Sequence, residues 1–245
     1  MTCIDPIRRR ALGGLLGLPV LGSGLLGAGC ASRMSVPAPA GAEPLPVPVL
    51  GVGDRWRYRL TNRYNGSTVG ETTVEVLEVA PEIRLRVDPG DGQPVLEERW
   101  SNPWTVILEP MYDAPMAFET PIPVVPPGAR AGQGLTSASR YRSERSSSVL
   151  GWQQRLRVVG WERVQVPAGS FDALRIERFA TYQHPDIFRY APERIDTLWY
   201  SPQVGRWVVR EWTGSYLPGA PGGRASRALE DWVRWELTAW EPAKR

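Results

Sequence analysis

The sequence predicts an all-β domain built on a curved antiparallel sheet, arranged as a barrel, half-barrel or sandwich. Segments in which apolar and polar residues alternate recur along the chain, and this two-residue period is typical of half-buried strands. Turn signals separate these segments at intervals of roughly 8–12 residues, as in sandwiches and barrels. No amphipathic helix of ordinary length stands out, because the one ambiguous stretch, 225–236, keeps its two-residue period up to Trp240.

Two β-hairpins in the stretch 161–212 carry the clearest signal. Both turns, Pro167-Ala168-Gly169-Ser170 and Ser201-Pro202-Gln203-Val204-Gly205, contain an early Pro that fixes φ and a late Gly or Ser. The flanking residues are rich in Val, Ile, Leu, Trp, Tyr and Phe, which favour strands. The four strands predicted around these turns are 162–166, 171–178, 196–200 and 206–212.

The N-terminal half predicts a similar succession of strands. Residues 54–62 alternate strictly, with Trp56, Tyr58 and Leu60 on one face, and Asn65-Gly66 is a strong turn signal. An irregular, Pro-rich stretch, 109–134, follows and separates the two halves of the domain. The remaining predicted strands are 71–79, 83–87, 95–100, 105–109 and 231–240.

A weak internal repeat suggests that the domain is made of two similar meanders. Arg140-Tyr141-Arg142 resembles Arg57-Tyr58-Arg59, and Pro121-Ile122-Pro123-Val124 resembles Pro46-Val47-Pro48-Val49. Chance similarity between short motifs is the alternative explanation.

Residues 1–29 are predicted to be a signal peptide. Arg8-Arg9-Arg10 forms a basic region, and the uncharged stretch 11–29 that follows is dominated by Leu, Gly and Ala. A transmembrane helix is the alternative, but the glycines, Pro19 and the small residues before Cys30 favour a cleaved segment. The export route is left open between the general secretory and the twin-arginine pathways, because Arg9-Arg10-Ala11-Leu12 is compatible with both.

The stretch Leu26-Gly27-Ala28-Gly29-Cys30 resembles the lipobox of bacterial lipoproteins, although Gly27 stands where an aliphatic residue is usual. The resemblance implies cleavage before Cys30 and its lipidation, with palmitate as the expected acyl group. The alternative is a buried or disulfide-bonded cysteine, but the only other cysteine, Cys3, lies in the signal peptide. Ala31 follows the lipidated residue, which by resemblance favours the periplasmic face of the outer membrane.

Residues 30–50 are predicted to be the lipidated cysteine and a Pro-rich tether, followed by one β domain over 51–245. A tether in polyproline II conformation would hold the domain up to about 60 Å from the membrane. Removal of residues 1–29 takes three Arg and Asp5 from 29 basic and 26 acidic residues, which leaves 26 and 25. Because the mature chain is nearly neutral, no nucleic-acid partner is predicted.

A family resemblance rests on several motifs of the domain. They are Gly53-Asp54-Arg55-Trp56-Arg57-Tyr58, Val166-Pro167-Ala168-Gly169-Ser170-Phe171, Leu174-Arg175-Ile176-Glu177, Leu198-Trp199-Tyr200-Ser201-Pro202 and Val204-Gly205-Arg206. Together they resemble uncharacterised proteobacterial envelope lipoproteins, including TapB-like ones. The resemblance implies an envelope β domain and implies nothing about an activity.

The chain offers little catalytic chemistry. It lacks a phosphate-binding glycine loop, a Gly-x-Ser-x-Gly elbow and a His-Glu-x-x-His motif, so no cofactor is predicted. His184 is the only histidine, which excludes a metal site built from several His and Cys ligands. The best catalytic candidate is the loop 180–194, where His184 and Asp186 could form a triad with one of the serines 146–148. A solvated loop histidine is the simpler interpretation.

Tryptophans are the candidate ligand-binding residues. The chain has 11 of them, and neighbours such as Trp207 and Trp212 differ in strand parity. Either some tryptophans line an exposed cleft for an apolar or glycan ligand, or a β-bulge brings them to one packed face. The candidates for a ligand surface are Trp161, Trp199, Trp207, Trp212 and Trp232.

These observations predict a non-enzymatic lipoprotein of the outer membrane, facing the periplasm and anchored through Cys30. Its predicted role is binding or scaffolding in the cell envelope, with an apolar or glycan ligand or an envelope protein as partner. A hydrolase that uses the His184 loop is one alternative, and a purely structural partner of another envelope protein is a second.

Overall fold

The computed structural model describes residues 36–37, 43–110, 114–219 and 226–244. The predicted signal peptide and Cys30 lie outside these residues. Within the described ranges every regular element is a strand, and no helix there has the length and apolarity needed to cross a membrane. The strands are β1 (Val36–Pro37), β2 (Arg55–Asn62), β3 (Thr68–Glu78), β4 (Ile83–Asp88), β5 (Leu96–Asn102), β6 (Thr105–Glu109), β7 (Met116–Pro123), β8 (Gly134–Ser143), β9 (Ser146–Val166), β10 (Gly169–Tyr182), β11 (Arg189–Ser201), β12 (Arg206–Pro218), β13 (Ala228–Leu229) and β14 (Val233–Glu241).

Twelve of these strands form one closed antiparallel barrel. Each strand from β2 to β12 pairs with its neighbour in sequence, and β14 follows β12 in the sheet. The barrel closes where the last strand pairs with the first, from Val233 opposite Asn62 to Glu241 opposite Arg55. The two short strands lie outside the ring, because β1 pairs with β9 and β13 with β12. The prediction of an all-β antiparallel fold is confirmed.

The two halves of the barrel contain equal numbers of strands, β2 to β7 and β8 to β12 with β14. Tyr58 in β2 and Tyr141 in β8 come from the two Arg-Tyr-Arg motifs, and both rings are fully buried. An origin from two similar meanders remains a prediction, and this arrangement is compatible with it.

The barrel interior is filled by large side chains. Trp56, Trp152 and Trp207 are among the largest fully buried residues, and Trp207 stacks on Trp100 with ring centroids 5.9 Å apart. Because an aromatic side chain buries about 150–250 Å², a few such residues fill the space between the walls.

A β-bulge resolves the parity conflict among the tryptophans of β12. Trp199 of β11 lies opposite Val209, and the next residue, Tyr200, lies opposite Trp207, so Val208 is an extra residue in β12. This insertion shifts the alternation by one position. Trp207 and Trp212 therefore both belong to the buried face.

Two sequence-based boundaries were wrong. The loop predicted over 180–194 is shorter, because β10 continues to Tyr182 and β11 begins at Arg189, so cross-strand pairing orders most of the stretch. The packed domain also begins before Gly51. Leu45 is only 2% exposed, its backbone N–H donates to Ala129 O at 2.9 Å, and Glu43 accepts a hydrogen bond from the Trp161 indole at 3.2 Å.

The barrel has two distinct ends. The near end carries the segment 43–53, the turns and loops 79–82, 103–104, 124–133, 167–168 and 202–205, and residues 242–244. The far end carries the turns and loops 63–67, 89–95, 114–115, 144–145, 183–188 and 226–232. The strand β1 runs antiparallel to β9, with Val36 opposite Arg163 and Pro37 opposite Glu162. Val36 therefore lies nearer than Pro37 to the turn 167–168 that follows β9. The chain therefore enters the described domain at the near end.

Candidate functional site

A surface groove at the near end is large enough to hold a small ligand. We call it the proline groove. It lies between the segment Pro46 to Leu50, the turn Pro202 to Gly205, and residues 242–243, with Trp240 at its side. Its volume is about 510 Å³, within the ordinary range for small-molecule pockets. Most lining residues are Pro, Val and other apolar residues, while polar groups, including those of Asp54 and Gln203, make up a comparable share of the surface.

Asp54 fixes the shape of this groove. Its Oδ2 accepts a hydrogen bond from the Gly51 N–H, and its Oδ1 accepts one from the Ala243 N–H, both at 2.7 Å. One buried carboxylate therefore joins the N-terminal segment to the C-terminal one. The preceding Gly53 has a φ of +95°, a backbone conformation that residues with a side chain rarely adopt. This conformation lets the chain turn tightly into β2.

Two of the sequence motifs meet beside the groove. The Trp56 indole N–H donates to Val204 O at 2.9 Å, and the Tyr58 hydroxyl donates to Trp207 O at 2.9 Å. Burial raises the pKa of the Tyr58 hydroxyl, so the group stays a neutral donor. The motif that opens the domain thus clamps the turn that joins β11 and β12.

The barrel interior contains a charged cluster of four side chains, Glu109, Arg178, Asp196 and Arg210. The Arg178 guanidinium donates to both oxygens of Glu109, at 2.9 and 3.1 Å, and its Nε donates to Asp196 Oδ2 at 2.7 Å. Arg210 donates to Glu109 Oε1 at 2.6 Å. All four side chains are almost completely buried, and their two positive and two negative charges balance. We call this group the interior cluster.

The arginines determine the charge state of Glu109. Burial alone would raise the pKa of this carboxyl group, but the charges of Arg178 and Arg210 outweigh it and hold the pKa below its ordinary value. Glu109 is therefore ionised at neutral pH and acts as an acceptor. With both arginines committed to carboxylates, the cluster serves to hold β6, β10, β11 and β12 together.

A second buried ion pair lies nearer the proline groove. Arg206 donates to Glu98 Oε2 at 2.7 Å, and its guanidinium lies 3.8 Å from the centroid of the Trp207 ring. Cation–π contact and ion pairing together compensate the buried charge. This part of the interior is therefore also occupied by the protein's own side chains.

The five tryptophans predicted to form a ligand surface lie in different parts of the structure. Trp207 and Trp212 lie in the barrel interior, and Trp199 lies between the guanidinium groups of Arg175 and Arg234, at 5.6 and 5.4 Å. Trp161 bonds to Glu43 at the near end. Trp232, which is partly exposed, donates to Glu211 at 2.8 Å toward the far end. Ligand binding by these residues remains a prediction, and one ligand could not contact all five in this arrangement.

The loop of His184 lies at the far end. The Asp186 N–H donates to His184 Nδ1 at 2.9 Å, and Asp186 Oδ1 accepts a hydrogen bond from the Phe188 N–H at 2.9 Å. A catalytic triad needs Nδ1 to donate to the carboxylate, whereas here Nδ1 is an acceptor. The cavity beside His184 has a volume of about 10 Å³, room for roughly one water molecule.

The far end also exposes apolar side chains around a buried acid, Glu230. Its two carboxylate oxygens accept from Arg189 and Arg194 at 3.2 and 2.8 Å, and its backbone oxygen accepts from the Tyr64 hydroxyl at 2.9 Å. Glu230 therefore joins three far-end segments. Four exposed apolar residues of the loops next to Glu230 and its two arginines form what we call the far-end patch: Ile187, Phe188, Tyr190 and Leu229.

The sequence analysis did not predict the proline groove, because alternating Pro and apolar residues over 30–50 are also typical of an extended tether. A signal was available. Residues 44–53 contain no charged or strongly polar side chain, whereas a solvated linker is ordinarily rich in polar residues. As to metals, the described residues contain no group of three or more His, Cys, Asp or Glu side chains placed to share an ion.

Comparison with known proteins adds evidence about the fold. No family model and no curated protein matches the chain. A predicted exported protein with a YmcC-like fold from Bacteroides fragilis is 12% identical, covers 80% of this chain and 98% of its own, and superposes with a TM-score of 0.50. A predicted lipoprotein from Parabacteroides distasonis is 11% identical, covers 80% of this chain and 98% of its own, and gives a TM-score of 0.49. The hypothetical lipoprotein YmcC of Escherichia coli is 10% identical, covers 78% of this chain and 86% of its own, and gives a TM-score of 0.41. At such identities, the Bacteroides fragilis protein shows that this chain has a similar all-β fold.

Proposed function

We propose that this chain is a lipid-anchored envelope protein that binds a protein partner without catalysing a reaction. The proposal includes lipidation of Cys30, the periplasmic face of the outer membrane, and kinship with the TapB-like envelope lipoproteins. Its structural neighbours are described as exported proteins or lipoproteins, which is compatible with this location. The observation that carries the scaffolding role is the interior: large aromatic side chains and paired charges occupy it.

A filled and internally bonded barrel is suited to hold its two ends at a fixed separation. The far-end patch is the surface we assign to the partner, because Phe188 and its neighbours are exposed on loops that Glu230 holds in place. Aromatic and aliphatic side chains on an ordered surface are typical of the centre of a protein interface.

Photocrosslinking in the native host tests this role. A photoreactive amino acid in place of Phe188 should give a discrete protein adduct, and the matched control is Ile195, which is also exposed but lies on the outer wall of β11. An adduct pattern at residue 188 no stronger than at residue 195 would contradict the partner role. The anchor is tested separately, because Cys30→Ala should lose the lipid mass and move the protein out of the membrane fraction.

The proline groove favours a second function, the binding of a small apolar ligand. Its volume of about 510 Å³ lies in the range of small-molecule sites, and its Pro and Val side chains with Trp240 would contact the apolar part of such a ligand. A native mass spectrum of residues 31–245, exported to the periplasm without the lipidated cysteine, should then show an adduct that disappears on denaturation. A protein mass without an adduct would contradict ligand binding, and partner binding would be the one remaining proposed function.

A further inference from the structure

We infer that the near end of the barrel lies on the bilayer surface and that Val47, Val49 and Val52 contact the lipid. This inference rests on the proposed anchor at Cys30. It adds a lipid-contacting surface that the anchor alone does not require, since an anchored domain could also stand well away from the membrane on a long tether.

The first argument is the length of chain between the anchor and the barrel. Val36 already pairs with Arg163 of β9, six residues after Cys30. A fully extended chain spans at most about 3.6 Å per residue, so six residues reach roughly 22 Å. This is about a third of the distance expected from a free tether over 31–50. The near end, where the chain enters, is therefore the end that a lipid at Cys30 would hold against the membrane.

The second argument is the pattern of exposure along the segment that follows. Leu45 is buried against the barrel, whereas Val47, Val49 and Val52 are 62, 75 and 59% exposed. The segment thus packs on the domain at one point and presents three apolar side chains to the outside. Exposed apolar side chains that cluster on one surface mark sites of protein or membrane contact.

The third argument is charge. Residues 44–53 carry no charged side chain, so none of them would have to be desolvated at an apolar layer. Lys244, the only lysine of the chain, lies exposed at the same end. An ammonium group near the surface is attracted by anionic headgroups. The far-end loop differs, because Asp186, Arg189 and Glu193 surround its apolar residues.

Single-cysteine labelling tests the contact in the lipidated, full-length mature protein. Cys30 would be blocked by lipid, so an added cysteine is the one reactive thiol of the mature chain. The variants Val47→Cys and Val49→Cys would carry a polarity-sensitive fluorophore, and Val95→Cys is the control, since Val95 is 54% exposed on a far-end turn. Each protein is reconstituted in vesicles of phosphatidylethanolamine and phosphatidylglycerol that contain a nitroxide-labelled lipid.

The inference predicts a blue-shifted emission at residues 47 and 49 and a several-fold greater quenching there than at residue 95. Because all three residues are exposed, the substitutions should leave the unfolding temperature unchanged, which is checked on the same samples. Emission at residues 47 and 49 that stays as in water, while the protein remains lipidated and vesicle-bound, would overturn the lipid contact and leave the proposed anchor intact. Loss of vesicle binding or an unmodified Cys30 would instead overturn the anchor.

Discussion

The two ends of the barrel expose apolar side chains in different ways. At the near end they lie on an uncharged Pro-rich segment, which one carboxylate, Asp54, fixes to the rest of the chain. At the far end they lie on loops surrounded by charges, and Glu230 fixes these loops through two arginines. An uncharged segment can approach an apolar medium at low cost even where charged residues such as Glu43 and Arg130 lie elsewhere on the same end, whereas a patch whose own loops carry charges suits an aqueous protein interface. The same kind of exposed residue can therefore serve two different partners.

The largest expected effect comes from the interior cluster, which joins four of the strands that connect the two ends. Glu109→Ala would leave Arg178 and Arg210 with one carboxylate between them, and breaking a buried ion pair typically costs about 3–5 kcal/mol. Urea unfolding measures the loss. The control is Glu119→Ala, which removes the partly exposed pair with Arg142 and should cost less than about 1 kcal/mol. Equal losses in the two variants would show that the cluster does not hold the barrel.

A smaller effect is expected at the near end from Asp54→Ala. This change removes two charge-assisted hydrogen bonds that are only partly buried, and because water can replace the lost acceptor the net cost should be about 1.5–3 kcal/mol in total. Amide hydrogen exchange should accelerate at Gly51 and Ala243, whose N–H groups lose their acceptor, while the exchange of far-end amides stays unchanged. The control is Asp172→Ala, an acid paired with Arg163 on the outer wall. Faster exchange over the whole barrel would mean that the near end is not an independent unit.

The corresponding change at the far end is Gly214→Ala. A Cβ at residue 214 would lie 2.2 Å from Glu230 Oε2, so the carboxylate would have to shift and its ion pairs with Arg189 and Arg194 would weaken, at a cost of about 1–3 kcal/mol. Gly70→Ala is the matched control, because it also lies in a strand and a Cβ there meets no atom within 4 Å. The account expects partner crosslinking from residue 188 to fall in the first variant alone. Unchanged crosslinking and stability in Gly214→Ala would separate the far-end patch from Glu230.

The smallest expected effect is a pH dependence of the stability of the barrel, which connects the two ends. The pKa of Glu109 is lowered in the folded protein, so its contribution to stability is complete above the unfolded-state pKa and is lost as the pH falls through the folded value. Stability should therefore decline below about pH 4.5, and less steeply in Glu109→Gln, which has no carboxylate to protonate. Unfolding temperatures measured between neutral and acidic pH test this, and parallel curves for the two proteins would contradict it.

Local patterns were enough to predict the strands and the fold class. Alternation placed Trp56 and Tyr58 on one face of β2, and the Pro and Gly residues at 167–169 and 202–205 located two turns. These features depend on neighbouring residues, so a single sequence contains them. Arg178 shares its parity with Ile176 and Ala180, which indicated an inward-facing charge that the sequence analysis did not use.

The closure of the barrel and the near-end groove could not be predicted in the same way. Closure depends on β14 pairing with β2, which brings Arg59 to 3.2 Å from Glu236 across almost the whole length of the chain. The groove depends on Leu45 finding a buried site beside Ala129. Both are long-range choices between competing partners, and alternation within a segment does not distinguish among them.

The orientation of the barrel on the membrane is the central claim, and energy transfer to the bilayer tests it most directly. A donor fluorophore would be attached to Val47→Cys or to Phe188→Cys in the lipidated protein, with an acceptor on the lipid headgroups of the vesicles. The 14 residues of β10, tilted as in other barrels, should place the donor at residue 188 roughly 30–40 Å farther from the lipid. The account predicts strong transfer from residue 47 and weak transfer from residue 188. Equal transfer from both, or stronger transfer from residue 188, would contradict it.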